Sequence, residues 1–249
     1  MNVFIYDSFL NHKKYDRLLA KIETRITDLG LNGKISRLSL TRNVNDTVKN
    51  ELRRGATTII AVGDNKTVNQ IANALSTSQV PLGIIPVGEK NNDIAKSLGI
   101  ESSEDACDIL SARLLTKLDL GLAGKTCFLG YAAIKNQGTI ISMSDNYTVE
   151  VATRGVIRIF NLAHPEIKLP SKIKVSPSDG VLELAICAQS GKKFFAKTDE
   201  QSVFKIKKVA INNPGAQLIL DNATPVPLPA EITVVKQALN VIVGKNRNF

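Results

Sequence analysis

Thr57-Thr58-Ile59-Ile60-Ala61-Val62 runs into Gly63-Asp64-Asn65-Lys66-Thr67 and then into alternating polar and apolar sequence through Leu75. The same grammar follows directly: Pro81-Leu82-Gly83-Ile84-Ile85-Pro86, the loop Val87-Gly88-Glu89-Lys90-Asn91-Asn92-Asp93, and Ile94-Ala95-Lys96-Ser97-Leu98-Gly99-Ile100. Each half is an apolar β-rich run, a polar loop containing glycine, and sequence of helical period. A strand that is apolar on both faces belongs in a buried parallel sheet. A polar loop at its carboxyl end, opening a helix, is where open α/β sheets receive anionic ligands.

Outward from this stretch the pattern holds. Residues 2–6 read as a first strand, and Leu18, Leu19, Ile22, Ile26 and Leu29 mark one face of a helix over 11–29 that Gly30 and Gly33 end. Residues 35–40 alternate as a second strand, and Asn45 or Asp46 caps a helix through Leu52 that Gly55 closes. After Ile100, the run Glu101-Ser102-Ser103-Glu104 opens a helix to about Leu114, with Ala106, Ile109, Leu110 and Leu114 inward, and a strand follows at 116–121. From Cys127 onward helical period nearly disappears. Short runs at 127–134, 138–143, 147–152, 155–162, 181–188, 203–211, 217–220, 231–235 and 239–243 read as strands between Gly, Pro, Asn and Asp. The fold class expected is α/β: a doubly wound parallel-sheet domain at 1–121, then a β-sandwich-like all-β domain at 122–249, with the boundary near Gly121-Leu122-Ala123-Gly124.

Composition narrows the function classes. A chain of 249 residues with 43% hydrophobic content can bury roughly 70–75% of its unfolded surface, which fits one large domain or two modest ones. No apolar run approaches the ~20 residues of a membrane-spanning helix. Met1-Asn2-Val3-Phe4-Ile5-Tyr6-Asp7 lacks a basic leader and reads as a strand, not a signal peptide. Cys107, Cys127 and Cys187 are far apart and odd in number, so they form neither a metal spacing nor a disulfide framework. Buried thiols in a reducing, cytoplasmic setting are expected, and His12 and His164 stand alone in sequence. The net charge of +9 is either a solvated basic surface or an attraction to an anionic membrane surface, at ~1 kcal/mol per Lys or Arg near the lipid. With 5% aromatic residues and no recognition motif, nucleic acid is not an expected partner. Phosphate-loop, dinucleotide-fingerprint and metalloprotease motifs are missing.

The two loops and their flanks resemble the diacylglycerol kinase family, which includes sphingosine kinases and bacterial lipid kinases and is related to NAD kinases. The family's Ala-Val-Gly-Gly-Asp-Gly-Thr is met without a gap by Ala61-Val62-Gly63-Asp64-Asn65-Lys66-Thr67, with Asn69 and Ala72-Asn73 following. Its Pro-Leu-Gly-Thr-Gly-Asn-Asp-Phe-Ala-Arg-Ser-Leu-Gly-Ile is followed, with one extra residue, by the run from Pro86 to Ile100. Leu118-Asp119-Leu120-Gly121 resembles the family's Ile-Asp-Leu-Gly. The run Ser178-Asp179-Gly180-Val181-Leu182-Glu183-Leu184 resembles its Asp-Gly-x-Leu-Asp turn, and Asp221-Asn222-Ala223 its late Asp-Gly-Glu. The likeness covers nearly the whole chain in order. It implies a nucleotide-binding α/β domain, a β-rich domain on the substrate side, and an active site between them.

The resemblance implies ATP and Mg²⁺ as cofactors. It carries nucleotide-binding roles onto Thr41, Gly63, Asp64, Asn65, Lys66, Thr67, Gly88, Glu89, Lys90 and Asn91, and a structural metal role onto Asp179. Both loops are rewritten at their centres: Lys66 and Lys90 stand where glycines would bring backbone N–H groups to phosphate, and Asp64 and Glu89 add repulsion. The family's Asn-Pro turn after the first strand is Tyr6-Asp7-Ser8-Phe9. Ala223 replaces a Glu that resembles the general base, which leaves Asp221 and Asp64 as candidates for that role. Asp179-Gly180 reads equally as a hairpin turn. Three functions follow. One is a divergent lipid kinase, cytoplasmic or peripheral at the membrane, that phosphorylates a lipid hydroxyl. Another is an inactive member that binds nucleotide, lipid or protein. The last is an NAD kinase-like enzyme with a soluble substrate.

Overall fold

The computed structural model describes residues 1–39, 43–88, 91–136, 138–143, 147–188, 200–247 and 249. The chain divides into two compact units, Met1–Leu118 together with the segment from Gln237, and Asp119–Lys236.

The first unit opens with β1 (Asn2–Tyr6), α1 (Asp16–Asp28), β2 (Gly33–Arg37), α2 (Val44–Arg53) and β3 (Thr58–Gly63). It continues with α3 (Asn65–Leu75), β4 (Leu82–Pro86), α4 (Asp93–Ser97) and α5 (Ser103–Ala112). Two short 3₁₀ turns over residues 8–15 occupy the start of the helix expected at 11–29. That helix ends as its glycine predicts: Leu31 donates to the Ile26 carbonyl and Gly30, at φ +67°, to that of Thr27, a Schellman closure. The strands stand in the order β2-β1-β3-β4, all parallel. Every residue of β3 and β4 is buried, which is why their apolar runs do not alternate. Each fully buried Ile or Val of β3 contributes roughly 1.5–3 kcal/mol of hydrophobic stabilisation. All the parallel strands end at the same edge, so the turns after β1, β3 and β4 share one rim of the sheet.

The second unit is antiparallel. After β5 (Leu115–Ala123) come β6 (Thr126–Phe128), β7 (Tyr131–Asn136), β8 (Thr139–Met143), β9 (Tyr147–Val151), β10 (Gly155–Phe160) and β11 (Leu182–Ala188). The remaining strands are β12 (Glu200–Ile206), β13 (Lys208–Asn212), β14 (Gln217–Leu220), β15 (Thr224–Pro227) and β16 (Ala230–Ile242). One sheet has the order β12-β11-β10-β7-β14-β15; β16, β13, β8 and β9 pair in that order, and β5 pairs with β6. Residues of both sets, among them Ala132, Ile157, Leu184, Ile141, Val209 and Ile232, enclose one apolar core, as in a sandwich.

Three details depart from the strand expectations. The run 127–134 is two strands, interrupted at Leu129-Gly130, whose amides turn to the Asp221 carboxylate. The run 203–211 is also two strands, β12 and β13, that belong to different sheets. The two runs at 231–235 and 239–243 form one strand, β16, with Gln237 at φ +48° as its irregular point. The first residues of β16 pair with β13, while Val241 pairs in parallel with Leu82 of β4.

Candidate functional site

The loop after β3 is built around the N-terminus of α3. An α-helix begins with four N–H groups that have no intrahelical partner. Three of them, on Asn65, Lys66 and Thr67, have a partner inside the protein. Asn65 N–H donates to the Asn91 carbonyl at 2.8 Å. Lys66 and Thr67 N–H both donate to Oδ1 of Asp64, at 3.0 and 3.3 Å. Val68 N–H makes the first bond of the helix itself, to the Asp64 carbonyl at 3.1 Å. Asp64 is therefore an N-cap, with extended backbone and its carboxylate on the positive end of the helix dipole. Its carboxyl is pushed above the ordinary value, first by burial and further by the charge of Asp7, against the pull of the Thr67 and Lys66 contacts.

Asp7, in the turn after β1, completes the arrangement. Its Oδ2 accepts a short hydrogen bond from the buried Thr67 hydroxyl, and its Oδ1 accepts from Phe9 N–H at 3.0 Å and Ser8 Oγ at 3.2 Å. A Cβ at Gly63 would meet Thr67 Oγ1 at 3.0 Å and Asp7 Cβ at 3.1 Å. Glycine is thus required at 63 for this close approach, independently of any ligand. Asn65, 1% exposed, accepts from Ile94 N–H at 3.3 Å and reaches Asp93 at 3.5 Å. It ties the first loop to the second. Lys66 alone in this loop projects into solvent.

In the second loop, Gly88 (φ +117°) and Asn91 (φ +61°) adopt left-handed backbone, which glycine and asparagine tolerate best. The Asn92 amide donates to the Gly88 carbonyl at 2.8 Å. Thr41, Glu89 and Lys90 lie outside the described residues. The structure thus brings Gly63, Asp64, Asn65, Thr67 and Asn91 together in the first unit, joined by the Asn65–Asn91 bond. The resemblance put the turn Tyr6-Asp7-Ser8-Phe9 where the family has a nucleotide-contacting turn, but sequence reasoning did not single out Asp7 as the partner of Thr67. The signal was its place directly after β1, at the same carboxyl edge.

The remaining predicted residues lie in the second unit. Asp221, 1% exposed and at φ +49°, accepts from the amides of Leu129 (2.9 Å), Gly130 (2.8 Å) and Tyr131 (2.9 Å). Both carboxylate oxygens face main-chain donors, the arrangement of a structural bracket rather than of a free base. Asn222 accepts from the Tyr131 hydroxyl at 2.7 Å. Asp179 accepts from Val181 N–H at 3.2 Å, as a turn residue does, and lies 3.7 Å from Lys205. Buried Asp119 accepts from Gly180 N–H at 2.7 Å. Glu183, missed by the sequence reading, is fully buried in β11 with no hydrogen-bond partner on either oxygen among the described residues. Burial, reinforced by Asp179 and opposed by Lys205, pushes its carboxyl up to about 7. Its signal was a lone charge inside the apolar run of residues 181–188.

ATP and Mg²⁺ are the groups the resemblance implies. At the α3 N-terminus the amides of Asn65, Lys66 and Thr67 are occupied, and the carboxylates of Asp64 and Asp7 stand beside them. The residues present do not fit a nucleotide phosphate at this helix end. Among the described residues, no group of three or more His, Cys, Asp or Glu side chains converges as metal ligands. Among the described residues, no helix is long and apolar enough to cross a membrane.

Residues 2–123 match the diacylglycerol kinase catalytic domain. A probable lipid kinase YegS-like protein of Enterobacter sp. (strain 638) is 30% identical over 161 residues, which cover 61% of this chain and 53% of that protein. The chain thus spans about half the length of this curated relative. A crystal structure of a diacylglycerol kinase from Bacillus anthracis str. Sterne superposes with a TM-score of 0.76 at 19% identity, over 98% of this chain and 97% of that one. An NAD kinase from Archaeoglobus fulgidus, solved in complex with ATP, superposes with a TM-score of 0.59 at 12% identity, over 100% of this chain and 96% of that one. At these identities the structural likenesses establish the fold alone.

Proposed function

We propose that this chain, whose residues 2–123 match the diacylglycerol kinase catalytic domain, is a catalytically silent member of that family: a binding module on the lipid-kinase fold that transfers no phosphoryl group. One observation carries the reading. The amides of Asn65, Lys66 and Thr67, which a glycine-rich loop would present to phosphate, are held by Asn91 and Asp64 instead. Asp64 supplies the negative charge that this helix end attracts, so an incoming phosphate would compete with a carboxylate already in place. Ala223 adds support. It stands where the resemblance puts a general base, and losing such a base typically removes ~10²–10⁴ of rate. The charge of +9 favours an anionic partner such as a lipid surface.

The test is transfer of labelled phosphate from Mg-ATP into vesicles containing diacylglycerol, alongside thermal unfolding with and without Mg-ATP. The expected result is no labelled lipid and an unshifted melting temperature. Labelled lipid together with a metal-dependent shift would overturn the proposal.

A second reading, an active ATP- and Mg²⁺-dependent lipid kinase, is favoured by the upward shift of the Asp64 carboxyl. Once protonated, Asp64 would no longer repel phosphate, and exposed Lys66 would stand beside it. That reading requires stabilisation by ATP to grow as pH falls, whereas a silent loop shows none at any pH.

A further inference from the structure

The first unit holds a cavity at the edge of its sheet opposite the loops after β1, β3 and β4. Asn2 and Thr58 open β1 and β3 and pair in register, as do Phe4 and Ile60 two residues on. Side chains two apart on a strand share a face, so Phe4 and Ile60 look the same way. With Leu31, Leu110 and Ile242 they line an apolar floor of about 210 Å³. Drug-sized sites begin near ~300 Å³. At roughly 30 Å³ per heavy atom of a dense liquid, the space suits a chain of about seven atoms.

The rim carries one cation. Arg113 follows α5 as its C-cap in left-handed backbone, φ +51° and ψ +43°. Such a conformation costs a non-glycine residue energy, and such residues cluster at ligand sites. Its NH1 donates to Thr58 Oγ1 at 2.9 Å, which aims the guanidinium across the mouth. Arg113 is exposed, and among the described residues no carboxylate pairs with it. Leu114 and Leu115, directly after it in sequence, are 39% and 49% exposed.

We propose that this cavity binds a small amphipathic carboxylate of medium chain length, its hydrocarbon on the Phe4–Ile60 floor and its carboxylate on Arg113. A single guanidinium matches a single negative charge bidentately. A phosphate monoester would bring a second charge with no partner on the rim. The site is remote from residues 63–67 in the sheet and does not depend on whether that loop binds nucleotide.

The experiment is calorimetric titration of the full chain with octanoate and, separately, with 1-octanol. Octanoate is expected to bind saturably, and the alcohol at least about tenfold more weakly, the ratio that one charge-assisted hydrogen bond supplies. Arg113→Gln should bring octanoate down to the alcohol's affinity. Ser111→Trp, at the exposed mouth, should weaken both ligands without altering melting. No saturable binding of octanoate, or equal affinities for acid and alcohol in the unmodified chain, would overturn the proposal without any variant having to fold.

Discussion

The α3 cap in the first unit and the middle of β11 in the second treat a carboxylate in opposite ways. Asp64 is half-buried, yet Lys66 and Thr67 N–H groups meet it. Glu183 is fully buried, with neither oxygen hydrogen-bonded among the described residues. Both carboxyls are shifted upward, but only Glu183 rises to about 7. Main-chain donors hold a carboxylate as part of the architecture, and at Glu183, where neither oxygen meets one, desolvation outweighs the opposing charge of Lys205. Asp221 gives the limiting case, with three amides on one buried carboxylate.

The largest effect should come from removing that limiting case. Asp221→Ala leaves three main-chain donors without their acceptor, at about 1–3 kcal/mol for each one left unsatisfied. A loss of at least roughly 3 kcal/mol in urea unfolding is expected. A loss below 1 kcal/mol would mean that water replaces the carboxylate, and the bracket would be incidental.

Glu183 should follow. Its folded value lies above the unfolded one, so the folded chain binds more protons, and stability is fully present below pH 4.5 and falls as pH rises through 7. The span corresponds to about 3 kcal/mol. Glu183→Gln should flatten that slope between pH 4.5 and 8 in chemical denaturation, and an unchanged slope would assign it to other groups. Asp64→Ala should cost less, about 1 kcal/mol for a lost cap. A cost near zero would break the comparison, because the α3 amides would then not depend on Asp64. The smallest effect is expected for Lys66→Ala. With its side chain in solvent and no phosphate to hold, stability should stay within about 0.5 kcal/mol and ATP affinity should not change.

Much of the fold was legible because burial writes itself as period. The unbroken apolar runs of β3 and β4 announced a parallel sheet, and the 3.6-residue spacing of Leu19, Ile22 and Ile26 announced α1. What period cannot convey is the partner. The short apolar, β-branched run at 239–243 marks a strand, but only the structure pairs Val241 with Leu82. The strand Thr224–Pro227 went unread because two prolines mask it, and it lies at a sheet edge where prolines are tolerated. The loop at 63–67 was legible as a strand-to-helix turn. Its content was not. Whether an Asp beside a helix start repels a ligand or caps the helix depends on one side-chain torsion. The neighbour that crowds it, Asp7, is 57 residues away in sequence. Glu183 was visible as a charge in an apolar run, but nothing in sequence reveals that no donor reaches it.

The central claim is that the N-terminus of α3 is complete without a phosphate. Calorimetric titration of the unmodified chain with ATP, in the presence and absence of Mg²⁺, tests it most directly. The account predicts no saturable heat up to millimolar nucleotide under either condition. Metal-dependent binding in the micromolar range would contradict it: the Asp64 carboxylate would then be a gate that nucleotide displaces, and the chain would return to the active kinases.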